Sequence, residues 1–188
     1  MQIAHYTLFS VLDVNSVPKY YQDSEQISDS VNLLISILVR YPEVGTIRFD
    51  PERNTLKLTF MIAGKTAQPD LANIKQLILT SLTAYHILED LTVTVCEVVP
   101  RIFEGVAMLT VLRDVDTLTK AEFDLIITLL RDRFADRLIT DQNTAILEED
   151  LLVQEELIEN MLENVKKQHS ANSLIGIRED GRVLVFNK

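Results

Sequence analysis

Acidic side chains are the most concentrated chemical groups in this sequence. Glu148, Glu149, Asp150, Glu155, Glu156, Glu159 and Glu163 follow one another with no Lys or Arg between them. On a helix, Glu155, Glu159 and Glu163 are successive i,i+4 neighbours and line one face. Carboxylates so arranged bind divalent metals when a histidine stands three residues on, or when a facing helix adds ligands. Here the residue three after Glu156 is Glu159, and the residue three after Glu159 is Leu162. No metal site is expected. The stripe reads as a solvated face or, at Glu155, Glu159 and Glu163, as a surface for a protein partner.

A second concentration of polar and aromatic groups lies at residues 13–23. Asp13, Asn15, Lys19, Tyr20 and Tyr21 combine charge, hydrogen-bonding groups and two phenols in a segment longer than a tight connection requires. With Arg101 facing it across a sheet edge, this loop is the expected place for a small-ligand site. The competing reading is that the tyrosines simply pack beneath the loop.

The other candidate chemistry fails on spacing. Gly64-Lys65-Thr66 resembles the tail of a phosphate loop, but the position five before Gly64 is Thr59, inside a predicted strand, so the glycine-rich cradle is missing. His5, His86 and His169 have no second His or Cys at metal-ligand spacing, and Cys96 has no adjacent base. No nucleophile elbow is present. No cofactor is expected, and the reading leans away from an enzyme.

Composition narrows the field further. The chain has 188 residues, 47% of them hydrophobic, enough for a substantial core. One cysteine excludes an internal disulfide framework. A net charge of −10, negative in both halves, argues against nucleic acid as a partner. The N-terminus has no basic and apolar leader pattern, and the most apolar run, Val31–Val39, is far shorter than the roughly 20 residues that span a bilayer. A cytoplasmic protein without a membrane partner is expected.

The elements that must position these groups follow from periodicity. Residues 3–12 read as a strand, and Asp23 with Gln26 as a capping box opening a helix whose buried face is Ile27, Val31, Leu34, Ile35 and Leu38, closed by Pro42. Strands are predicted at 44–49 and 55–62 around the turn Asp50–Asn54, then a helix from about Pro69 to residue 88 and a strand at 91–99. The order βαββαβ over residues 1–100 is that of a ferredoxin-like α+β lobe, with two helices on one face of a four-stranded antiparallel sheet. Residues 101–188 read as a second α+β lobe of the form βαβ-α-β-hairpin, packed on the first. It comprises a strand at 104–112, a helix at 119–135 opened by a Thr119/Glu122 capping box, a short strand at 137–140, a long acidic helix at about 145–167, and a hairpin turning at Asp180-Gly181.

In the first lobe both helices cover one face of the sheet, leaving residues such as Lys57, Thr59, Met61, Thr92 and Thr94 on the other. The second lobe or another protomer would cover them. The expected function is therefore a non-enzymatic interaction or regulatory module that self-associates. The alternative is a small-ligand-binding protein or enzyme with its site at the 13–23 loop.

Overall fold

The computed structural model describes residues 7–13, 28–64, 68–140, 148–167, 172–179 and 181–187. Strand β1 (Thr7–Asp13) precedes helix α1 (Asp29–Arg40), whose opening is set by Ser28, with its hydroxyl accepting the Val31 N–H at 3.4 Å. The Asp23/Gln26 capping box lies outside the described residues. Val31, Leu34, Ile35 and Leu38 are buried as their spacing predicts, but so are Leu33 and Ile37. The reason is that α1 is covered twice, by the sheet on one side and by helix α4 (Glu148–Lys167) on the other.

Strands β2 (Val44–Asp50) and β3 (Thr55–Ile62) form the predicted hairpin. Asp50 Oδ1 accepts the N–H groups of Glu52 and Arg53, at 3.1 and 3.3 Å, and so ties down the turn. Leu56, Leu58, Phe60 and Ile62 are buried, while Lys57, Thr59 and Met61 on the alternate positions are partly exposed. Helix α2 (Gln68–Leu88) buries Leu71, Ile74, Ile78 and Leu82.

The next strand departs from the sequence reading. It is β4 (Cys96–Phe103), not 91–99, and it runs through Pro100 to a tight turn at Glu104 and Gly105 before β5 (Val106–Asp114). Proline is compatible because β4 is an edge strand, where a backbone N–H can be missing without breaking a ladder bond. Glu104 and Gly105 have φ of 49° and 84°, the conformation of a two-residue hairpin turn. The lobe boundary expected at 100/101 therefore falls inside β4. Helix α3 (Lys120–Phe134), a 3-10 turn (Ala135–Arg137), α4, β6 (Leu174–Glu179) and β7 (Arg182–Asn187) complete the order. The segment 137–140 contributes one isolated bridge, Leu138 to Ile62, rather than a strand.

Among the described residues, seven strands join one antiparallel sheet in the order β1-β7-β6-β2-β3-β5-β4. A ferredoxin-like half would hold its four strands together. Instead the C-terminal hairpin lies between β1 and β2, and β5 lies between β3 and β4. The α+β class stands, but the strand order is not ferredoxin-like. Alternation assigns faces to strands and leaves their partners open.

Cross-strand register aligns Gly176, Ile47, Leu58, Val111 and Val98 in one row, and all are buried. A side chain at Gly176 would point into Leu34 and Leu38 of α1, so this row is the helix-covered face. Helix α1 packs on β2, β6 and β7, α2 on β4, α3 on α2, and α4 on α1 and α3. The opposite face presents Ile177, Thr46, Thr59 and Thr110 in one row and Ile175, Arg48, Lys57 and Leu112 in the next, each partly or fully exposed.

Candidate functional site

Asp13 and Arg101, two of the residues nominated by sequence for the loop site, are not brought together. Asp13 ends β1 opposite Arg182, whereas Arg101 lies in β4, at the other edge of the sheet. Six inter-strand steps of 4.8 Å separate those edges by roughly 29 Å. Asn15, Lys19, Tyr20 and Tyr21 lie outside the described residues.

The acidic helix is only partly a free surface. Glu155 accepts hydrogen bonds from Arg40 Nε and Nη2 at 3.1 and 2.6 Å, and from Lys120 Nζ at 2.9 Å. Its carboxyl is held below the usual range by the Arg40 bond first and the Lys120 bond next. Lys120 also meets Asp124 at 3.0 Å, and the Tyr41 hydroxyl donates to Asp124 at 2.9 Å. Burial, reinforced by the Asp124 carboxylate, pushes the Tyr41 phenol far above its ordinary range. These five side chains bind α1, α3 and α4 together, so Glu155 is committed within the chain rather than offered to a partner. Glu163 pairs with Lys166 at 2.8 Å, while Glu159 is exposed.

A charged cluster that sequence reasoning missed sits beneath the helices. Arg113, on the covered face of β5, donates from Nε and Nη2 to the two oxygens of Glu122 at 2.7 and 2.9 Å. Its Nη1 donates to Asp114 Oδ1 and to the Val95 carbonyl, both at 2.6 Å, and Nη2 also reaches Thr117 Oγ1 at 3.1 Å. All five guanidinium N–H donors are thereby used. Burial works to raise the Asp114 carboxyl, but the Thr117 hydroxyl, the Val95 N–H and Arg113 outweigh it and hold it below the usual range. His86 Nε2 stands 3.2 Å from Glu122 Oε2. Cys96, opposite Arg113 in register, has its thiol pushed up by burial against the opposing pull of Arg113, so it is not an activated nucleophile.

This cluster also explains the failure of the Thr119/Glu122 capping box. The Glu122 side chain is drawn inward to Arg113, and Thr119 Oγ1 instead bonds the Tyr85 hydroxyl at 2.9 Å. The available signal was parity. Arg113 follows Ala107, Leu109 and Val111 at alternate positions and so points inward with them. With every Arg113 donor bonded and both Glu122 oxygens accepting from it, the cluster is a structural clamp between β5 and α3, with His86 of α2 packed against Glu122.

Two features are open to ligands or partners. One is a cleft of about 750 Å³ lined by residues that include Pro42, Glu43, Arg131, Asp136, Leu138 and Ile139. The other is an apolar surface at one edge of the molecule. Among the described residues the exposed large hydrophobics are Leu77, Ile87 and Leu88 on α2, Val99, Ile102 and Phe103 on β4, and Ile139 elsewhere. No described helix is long and apolar enough to cross a membrane, and the described residues contain no group of three or more His, Cys, Asp or Glu fit to hold a metal ion. Compared with protein-family models, curated proteins and solved structures, the chain matches none.

Proposed function

We propose that this chain is a non-enzymatic protein-interaction module that self-associates through the surface formed by α2 and β4. The observation that carries the reading is the outward face of α2. Asn73, Leu77, Thr80, Ala84 and Ile87 are exposed and succeed one another at alternating steps of four and three. That is the spacing of a helix–helix seam, and every residue on it is uncharged. Helix α2 thus has an apolar stripe turned to the core and a second, uncharged stripe turned outward.

On the neighbouring edge strand, exposed Ile102 shares the parity of buried Val98 and lies on this helix-covered side, while Val99 and Phe103 lie on the opposite face of the sheet. Pro100 removes one N–H from that edge and blocks continuous strand addition, so side-chain packing is the mode of contact. The absence of basic residues from the α2 seam favours a second protein chain over nucleic acid. In this reading the protein works in the cytoplasm, where Cys96 stays a thiol.

Light scattering across a concentration series tests the proposal. The wild-type chain is expected to be dimeric at micromolar concentration, and the Leu77→Lys/Ile87→Lys double variant monomeric. A wild-type monomer throughout that range would refute self-association.

A further inference from the structure

We infer that the uncovered face of the sheet docks an acidic amphipathic helix of a partner protein, with Arg48 and Lys57 as the seat for its carboxylates. Arg48 on β2 and Lys57 on β3 are direct cross-strand partners. Arg48 is exposed and Lys57 partly so, and neither forms an ion pair among the described residues. The one acid of β2, Asp50, is directed into its own turn, where Oδ1 accepts the N–H groups of Glu52 and Arg53. Like charges set directly opposite each other cost a sheet stability. The pair thus forms a bare cationic centre on a chain whose net charge is −10.

The surroundings of the pair specify the rest of the partner. Ile175 on β6 and Leu112 on β5 flank the two cations in the same row, and both are partly exposed. The next row sets Thr46, Thr59 and Thr110 side by side. Positive charge and hydroxyl donors bordered by aliphatic surface complement carboxylates bordered by aliphatic side chains. Strands β2 and β3 each have a neighbour on both sides, so no added strand can pair with them and contact is through side chains. Cross-strand partners stand about 4.5–5.5 Å apart. Carboxylates at positions i and i+4 of a helix stand about 5–6 Å apart, close to the same interval.

The same features argue against other occupants. A surface that stacks nucleic-acid bases needs aromatic rings beside its cations, and the row neighbours here are Ile175 and Leu112. An anionic membrane recruits clusters of roughly four to eight basic residues, more than this pair supplies. A second copy laid face to face about this centre would set cation against cation.

Fluorescence anisotropy of the full chain with a labelled, capped peptide of about 18 residues, made of leucine, glutamate and alanine in an amphipathic helical pattern, tests the docking. The control peptide carries lysine in place of glutamate. Saturable binding of the acidic peptide that weakens as salt rises is expected, with the lysine peptide at least about tenfold weaker. Lys57→Glu should weaken binding by at least about tenfold while leaving the fold no less stable than wild type, because it removes the like-charge pair. Arg48→Gln, at an exposed position, should weaken binding in the same direction. No binding of the acidic peptide, equal binding of the lysine peptide, or binding unchanged by both substitutions would overturn the inference. Binding of phosphatidylserine vesicles or single-stranded RNA in place of the peptide, lost in Lys57→Glu, would also overturn it. Leu77→Lys/Ile87→Lys should bind the acidic peptide as wild type does, and loss of binding there would place the peptide on α2 and overturn the inference. Self-association through α2 is read separately, from the oligomeric state without peptide.

Discussion

Arg113 on β5 and Glu122 on α3 stand nine residues apart and meet in a two-pronged ion pair of 2.7 and 2.9 Å, with 1% and 0% of their side chains exposed. Asp114 takes a third bond from the same guanidinium. Removing Arg113 would leave two buried carboxylates without their counter-charge. Arg113→Ala is therefore expected to destabilise the fold by about 3–5 kcal/mol in urea unfolding. The exposed hairpin substitution Arg53→Ala should stay within about 0.5 kcal/mol. A cost below about 1 kcal/mol for Arg113→Ala would show that the cluster does not clamp the layers.

Two paired carboxyls, one in this cluster and one on α4, set an acid limit. The Asp114 and Glu155 carboxyls are both held below their ordinary range, so each titrates lower in the folded chain than in the unfolded one. Their contributions are complete above the unfolded values of about 4 and are lost as pH falls through the folded ones. Urea midpoints should be level from neutral pH to about 5 and decline below about 4. Asp114→Asn should be less stable at neutral pH and decline less steeply. An Asp114→Asn profile as steep as wild type would contradict the assignment.

Gly176 is required by close packing rather than by a turn. A Cβ there would lie 2.8 Å from Ile47 Cγ2 and 2.8 Å from Leu38 Cδ1. Both neighbours are fully buried, so neither can move away cheaply. Gly176→Ala should cost about 1–3 kcal/mol by overpacking, read from thermal or urea unfolding.

On the uncovered face, Arg48 and Lys57 are direct cross-strand partners of like charge, and neither forms an ion pair among the described residues. Lys57→Glu converts the pair to opposite charges and should stabilise the fold by about 0.2–1 kcal/mol at low salt, with the gain shrinking as salt is added. A destabilised Lys57→Glu would argue that this face is constrained by something other than the pair itself.

Much of the fold was legible where periodicity and local chemistry act alone. The strand predicted at 55–62 has its observed limits, and the predicted C-terminal hairpin forms, with Glu179 opposite Arg182 and Gly181 at a φ of 72°. The order of strands was not legible. The pairing of β6 with β2 joins residues more than a hundred positions apart, and alternation says only which face each strand buries. The strand predicted at 91–99 stops short of the observed β4 because running through Pro100 is compatible only with an edge strand, and lying at an edge is a property of the whole sheet. Glu122 was read as a local cap because its true partner, Arg113, lies on another element. At the acidic helix, the i,i+4 spacing found the stripe but not the cations of α1 and α3 that claim Glu155.

Self-association through α2 predicts a specific dependence on salt. A chain with a net charge of −10 repels its copies at long range, and salt screens that repulsion while leaving an uncharged seam intact. Sedimentation equilibrium of wild type and of Leu77→Lys/Ile87→Lys, each at low and high salt, measures the claim most directly. The account predicts a wild-type dimer that tightens as salt rises and a folded double variant that remains monomeric at both salts. A wild-type monomer at both salts, or a double variant as dimeric as wild type, would contradict it.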